Sequence, residues 1–374
     1  MIYWRLSSFY LFYFAALGAL VPYWGLYLKS IGFDAKQIGT LLAIIMATKI
    51  IAPNVWGWIA DHTGRRMRIV RLASLIAVIA FSGVFFGNAL WWLVVVMTVF
   101  SFFWNASLPQ FEATTMNHLG KGVHRYSTIR LWGSVGFILA VAILGFVFDH
   151  ISTEILPAVI CILLVGIWIS SLFVPERAAG HLHLSGEPIS RVLKSPPVIA
   201  LLTVCFLMQA SHGPYYAFFS IYLDGHGYAR GLIGQLWALG VIAEIGVFLV
   251  MHRLLPRYGA KKLLLVSLCL GVARWLMIAW FVDHIEIIVV AQCLHAASFG
   301  VYHAVAISLI HEYFTGSHQG RGQAIYSSLS FGAGGALGSM VSGLLWDSMG
   351  AELTYTLAAS FSALALLIAW RRLA

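Results

Sequence analysis

The sequence predicts an all-α integral membrane protein whose twelve transmembrane helices form two six-helix bundles. Three observations carry that expectation. Hydrophobic residues make up 60% of the 374-residue chain and charged residues only 10%; runs of roughly 20 apolar residues recur from end to end; and lysines and arginines gather between those runs. A water-soluble fold could not bury so much apolar surface. At 1.5 Å per helical residue, about 20 residues cross the roughly 30 Å of a bilayer's hydrocarbon.

The expected spans of the first half are Phe9 to Leu28, Ile38 to Ala60, Ile69 to Gly87, Leu90 to Ala113, Thr128 to Phe148 and Ile155 to Val174. Those of the second are Val198 to Leu223, Leu232 to Met251, Leu263 to Phe281, Ile287 to Ile310, Gly322 to Leu345 and Leu353 to Trp370. None shows the dyad alternation of a membrane β-barrel, so helices are the spanning structure left. Between the halves, Pro175 to Pro197 is the longest polar interruption. It separates an N-terminal bundle (1–175) and a linker (176–197) from a C-terminal bundle (198–374), an arrangement that suits a substrate held between two halves related by an internal repeat.

A net charge of +9 could point to nucleic acid, but its distribution reads as topology. With the N-terminus cytoplasmic, 18 of the 23 lysines and arginines fall in inside loops or termini. Lys29, Lys36 and Arg230 fall outside, and Lys49 and Arg274 within spans. The positive-inside rule therefore puts both termini in the cytoplasm of a bacterial inner membrane. The lipid bilayer is then the partner, no nucleic acid is implied, and the protein is expected to be a monomer. Arg5 precedes a first span without a small-residue cleavage site, so that span reads as an uncleaved helix. The four cysteines, Cys161, Cys205, Cys269 and Cys293, lie inside apolar spans at no metal-ligand spacing and read as packing residues.

The loop after the second span reads Gly57-Trp-Ile-Ala-Asp61-His-Thr-Gly64-Arg65-Arg66, and the loop after the eighth, His252-Arg253 through Gly259 to Lys261-Lys262, echoes it. Glycine permits the tight turn, and the cations obey the inside rule. An aspartate at a helix end can pair with an arginine and clamp neighbouring helices in one state. Gly57, Asp61, Gly64, Arg65 and Arg66 resemble the hallmark of the major facilitator superfamily, with His62 where the family usually has arginine. Four further segments, Leu20 to Lys29, Arg130 to Phe137, Gly240 to Ile245 and Leu294 to Gly300, resemble the phenylpropionate permease-like branch, a relative of lactose permease. The resemblance implies a secondary transporter driven by a proton gradient, with no cofactor and no metal.

Ionisable groups at the bilayer centre cost from about 2.5 to above 10 kcal/mol and are functional candidates by default. Here they are Lys49, Glu112, Arg130, Glu244, Arg274, His295 and His303. The resemblance places Glu112 and Arg130 where lactose permease holds a carboxylate and an arginine at its sugar site, with Phe137 in place of the stacking tryptophan. Such a fork beside an aromatic face suits a carboxylate or hydroxylated ring; a bland helix-end ion pair is the alternative. Glu244, Arg274 and His295 match the carboxylate, arginine and histidine of the family's coupling site. Ser298 stands where that site has a second carboxylate. Glu244 is therefore the expected proton carrier, with His295 relaying or orienting and His303 a weaker candidate. Tyr215 is the aromatic chosen from the seventh span to line the substrate site.

Lys49 has no acid on its own span and is expected either to neutralise Glu112 or to await an anion. The buried cations Lys49, Arg130 and Arg274 exceed Glu112 and Glu244 by one, which favours an anionic substrate such as an aromatic acid. A nucleoside or sugar symporter, or a drug-efflux antiporter, is the competing transport reading, although the efflux family's glycine-proline element is absent between Gly133 and Gly145. No HExxH or GxSxG motif supports a membrane-embedded enzyme.

Overall fold

The computed structural model describes residues 2–177 and 189–373; half of the expected linker, residues 178–188, lies outside the described residues. The helices are α1 (Ile2–Ser30), α2 (Ala35–Thr63), α3 (Arg66–Phe86), α4 (Leu90–Leu119), α5 (Tyr126–Phe148), α6 (Thr153–Leu172), α7 (Pro196–Gly225), α8 (Arg230–Tyr258), α9 (Ala260–Trp280) and α10 (Ile285–Tyr313). A last helix of 54 residues, Gln319–Arg372, bends at Gly350, where φ is +83°. That left-handed corner turns the chain back and divides it into α11 (319–349) and α12 (351–372), so twelve helices among the described residues are long enough to cross a bilayer.

Most helices run past the ends expected from hydropathy. Apolar runs mark the hydrocarbon, whereas a helix stops only where its backbone is released. α2 shows both limits. At its start Asp34 accepts the N–H of Gln37 at 2.7 Å, and the Gln37 side chain accepts the Asp34 N–H at 3.1 Å. At its end Gly64 adopts φ +65° and donates its N–H to Ala60. The apolar faces left over are wide. Trp58, Ile79, Phe86, Trp91, Ile162, Leu249 and Trp370 are all exposed, a surface that only lipid can cover.

Packing divides the chain into two compact units, the first holding α1–α6 together with Ala229–Gln235 and the second the remainder, with the boundary outside the described residues. Within the first unit α1 packs on α5 and α6, and α3 on α4 and α6. The counterparts recur inside the second, where α7 packs on the helices that follow Gln319 and α9 packs on α10 and on the terminal helix. Glycines make the tightest of these crossings. A Cβ on Gly136 of α5 would collide with the Leu11 backbone of α1, and one on Gly213 of α7 would fall inside the Gly338 backbone of α11.

Three helices of the second unit are irregular inside the membrane. α7 is interrupted at His212, between Ser211 and Gly213. α10 carries a π-helical turn at Ala296–Val301, and α11 another at Ser328–Gly334. Such insertions release backbone groups and turn side chains to new faces, and they gather at functional sites.

Candidate functional site

In the first unit, Arg130 in the first turns of α5 reaches Glu112 in the C-terminal part of α4, with Nε 3.7 Å from Oε1. Both side chains are about one third exposed, at 31% and 37%. The guanidinium carbon lies over the Phe14 ring of α1, 3.8 Å from its centroid, and over the Tyr10 ring at 5.6 Å. The Tyr126 hydroxyl donates to Glu112 at 3.3 Å. Cation–π contact restrains the fork, so a guanidinium edge is presented with little rotamer freedom to lose. Gly133, one turn on, clears the space: a Cβ there would lie 2.7 Å from Arg130 Nη1. Phe137 is buried about two turns along α5 from Arg130, its backbone carbonyl facing Gly18 of α1.

Lys49 does not join Glu112. Its ammonium is directed at the Met46 thioether, 3.5 Å away, and among the described residues no carboxylate comes within ion-pair reach. Beside it Thr48, Ser101 and Asn105 form a polar seam between α2 and α4, with Asn105 donating to the Thr48 hydroxyl at 2.9 Å and to the Ile45 carbonyl at 3.1 Å.

At the loop between α2 and α3, Arg66 makes two contacts at once. Nη2 meets Asp61 at 2.6 Å, and Nη1 donates to the buried Gln110 of α4 at 2.8 Å. One guanidinium thus ties three helices. His62 turns back on its own helix, with Nδ1 2.8 Å from the Trp58 carbonyl, while Gly57 leaves the gap that the Gln110 amide fills. Glu176 joins the same corner: both its oxygens accept the N–H of Met67, at 3.0 and 3.2 Å, capping α3.

In the second unit, Glu244 of α8 and His295 of α10 meet with Oε2 3.5 Å from Nε2, both largely buried. Arg274 of α9 is fully buried. Its Nε donates to the Ala291 carbonyl at 3.0 Å and its Nη1 to Ser298 at 3.2 Å, while the guanidinium stacks on Tyr215 at 4.2 Å and Trp275 at 4.5 Å. Tyr215 also donates to Gln292 at 2.9 Å. The structure thus brings Glu244, His295, Arg274 and Tyr215 into one cluster. His303 sits apart, one ring further along the stack His295–Phe299–His303, with Nδ1 2.9 Å from the Tyr326 hydroxyl. Phe14, Tyr126, Gln110, Glu176, His212 and Gln292 belong to these clusters without having been singled out in the sequence. Being neutral, most of them carry no cost that hydropathy could flag.

The model of the MFS_1 like family matches residues 3–357. This chain belongs to that family, within the major facilitator superfamily. A probable 3-phenylpropionic acid transporter of Escherichia coli (strain K12) is 31% identical over 356 residues, covering 91% of this chain and 90% of its own length. The fold is shared with a crystal structure of a mutant of the nucleoside transporter NupG, at a TM-score of 0.89, 15% identity and 99% coverage of both chains. It is shared also with a D-xylose-proton symporter, at a TM-score of 0.78 and 13% identity, covering 99% of this chain and 96% of that one. The protein is a multi-pass membrane transporter of the superfamily and not an enzyme.

Proposed function

We propose that this transporter imports a small organic carboxylate, an aromatic acid of the phenylpropionate type, together with a proton. The observation that carries the reading is the buried Glu244–His295 pair at 3.5 Å, beside an arginine that has no acid of its own among the described residues. A buried carboxylate beside an imidazole can take up a proton in one state of the transporter and release it in another. The kinship at 31% identity with a probable 3-phenylpropionic acid transporter supports the substrate class.

In this reading Arg130, over Phe14, binds the carboxylate. Phe137, Tyr215, Glu112, Lys49 and Arg274 complete the surroundings of the substrate, and Lys49 supplies the surplus positive charge. Glu244, His295 and His303 serve coupling, while Gly57, Asp61, Gly64, Arg65 and Arg66 bias the conformational states. The two bundles (1–175 and 198–374), joined by a cytoplasmic linker (176–197), act as a monomer in the inner membrane with both termini inside. Thermal shift of the purified protein against aromatic acids, nucleosides and sugars tests the substrate class, because a ligand stabilises only the fold that binds it. Stabilisation by nucleosides or sugars, with none by aromatic acids, would overturn the proposal.

A further inference from the structure

Of the seven buried polar side-chain atoms of the second unit that find no hydrogen-bond partner among the described residues, four belong to residues around the Glu244–His295 pair: Arg274 Nη2, Gln292 Nε2, His212 Nε2 and His295 Nδ1. Their residues are 0%, 0%, 0% and 6% exposed, so bulk water does not reach them. They are also neighbours. The His212 and His295 rings are 6.3 Å apart between centroids. Tyr215 links Arg274, over its face, to Gln292, at its hydroxyl. A Cβ on Gly240 would touch both Gln292 Oε1 and His295 Cδ2.

The hydrogen-bond roles follow from the other atom of each group. His212 Nδ1 lies 2.8 Å from the Met208 carbonyl, which puts its hydrogen on Nδ1 and leaves Nε2 an acceptor. His295 turns Nε2 to the Glu244 carboxylate, which leaves Nδ1 an acceptor too. Arg274 Nη2 and the Gln292 amide nitrogen can only donate. Two donors and two acceptors, all desolvated, are the complement of one water molecule, and buried polar groups left unfilled are costly.

From this we infer that the four atoms hold a buried water, and that His212 is a second imidazole of the proton path. The inference rests on the reading of Glu244 as the coupling carboxylate. A proton arriving at His212 Nε2 makes an N–H there. That hydrogen passes to the water oxygen as one of the water's own O–H bonds breaks toward His295 Nδ1. His295, now with a hydrogen on each nitrogen, releases the one on Nε2 to a Glu244 oxygen. Water is restored, Glu244 is neutral, and His295 is left neutral with its hydrogen on Nδ1.

The groups packed around the pair suit passage over storage. His212 faces Tyr216 on its own helix, Trp275 and Arg274 from α9, and His295 and Phe299 from α10. His295 faces Tyr215, Arg274 and Glu244. Glu244 is the one carboxylate among them, so a proton entering beside the Arg274 cation has a single negative group on which to finish.

The test uses the full chain in lipid bilayers, labelled with 15N at histidine and free of substrate. Transfer of magnetisation from water protons to both bare imidazole nitrogens is expected by solid-state NMR. His212→Phe should remove the transfer at His295 as well as its own, and Gln292→Leu, which keeps both imidazoles, should weaken both. Absence of water transfer in the unmodified protein, or an unchanged His295 signal in His212→Phe, would overturn the site. Proteoliposomes loaded with 3-phenylpropionate read the relay separately. His212→Phe should cut pH-driven accumulation about tenfold or more, with counterflow within about twofold of the unmodified protein. Equal loss of both would make His212 structural and overturn the relay. Failure of the unmodified protein to carry this acid would instead strike at the proposed substrate, leaving the NMR result to decide the site.

Discussion

Glu244 Oε2 stands 3.5 Å from His295 Nε2 between α8 and α10, a carboxylate and an imidazole paired where both are largely buried. Removing the acid while keeping its shape separates coupling from movement. Glu244→Gln should abolish uphill accumulation of 3-phenylpropionate driven by a pH gradient, while counterflow of the same compound continues. Retained accumulation would move the coupling site elsewhere, with His295 next to be tested.

Arg66 answers to both Asp61 and Gln110, so Asp61→Asn takes the charge from one end of the tie and leaves the other. A clamp that biases states changes rates more than ligand contacts. Initial uptake should slow by a few-fold with apparent affinity within about twofold, the scale set by a solvent-screened ion pair worth about 0.2–1 kcal/mol. A large affinity loss at normal exchange rate would refute the clamp.

Arg130 lies over Phe14, 3.8 Å from the ring centroid, and a guanidinium can stack on that ring and still present a fork. Arg130→Lys keeps the charge but loses the fork. It should weaken binding of an aromatic acid by about tenfold or more in equilibrium titration. Phe14→Leu should give a smaller loss, in keeping with a cation–π contribution of about 0.5–2 kcal/mol. Unchanged affinity in Arg130→Lys would reduce the Glu112–Arg130 pair to an ion pair at the helix ends.

Gly338→Ala asks whether the α7–α11 crossing can open. The added methyl meets the Ala210 backbone, not a movable side chain. Overpacking of this kind costs about 1–3 kcal/mol, so the apparent unfolding temperature should fall. Gly246→Ala, at a glycine with nothing near its Cβ, is the control and should leave it unchanged.

The crossings themselves were legible in the sequence, because apolar length is dictated by the bilayer and needs no knowledge of neighbours. Glu112, Arg130, Glu244 and Arg274 could be picked out as candidates because a charge in hydrocarbon is conspicuous wherever it points, and Asp61 because of the glycine and arginine spacing of its loop. The rest depended on contacts between distant segments. Phe14 and Gln110 look like ordinary helix residues until α1 and α4 are placed against α5 and α3. Lys49 could be counted but not directed: Glu112 is taken by Arg130, and the lysine lies along Met46. His303, the weaker coupling candidate, lies beyond Phe299 in the ring stack that begins at His295 and has Nδ1 2.9 Å from the Tyr326 hydroxyl, with the π-helical turn at Ala296–Val301 between the two histidines. Hydropathy cannot register an inserted backbone turn.

The Gly213–Gly338 crossing has a consequence for the genetics of this transporter. Where side chains meet, a replacement can be absorbed by choosing another rotamer, and related residues substitute for one another. Here main chain meets main chain, and there is nothing to re-choose. Saturation mutagenesis under selection for growth should therefore find two sites that reject all nineteen alternatives, alanine and serine among them, flanked by positions that accept several. A revertant of either would be expected to arise on the opposite helix, through a shift of its backbone, and seldom by changing a neighbouring side chain.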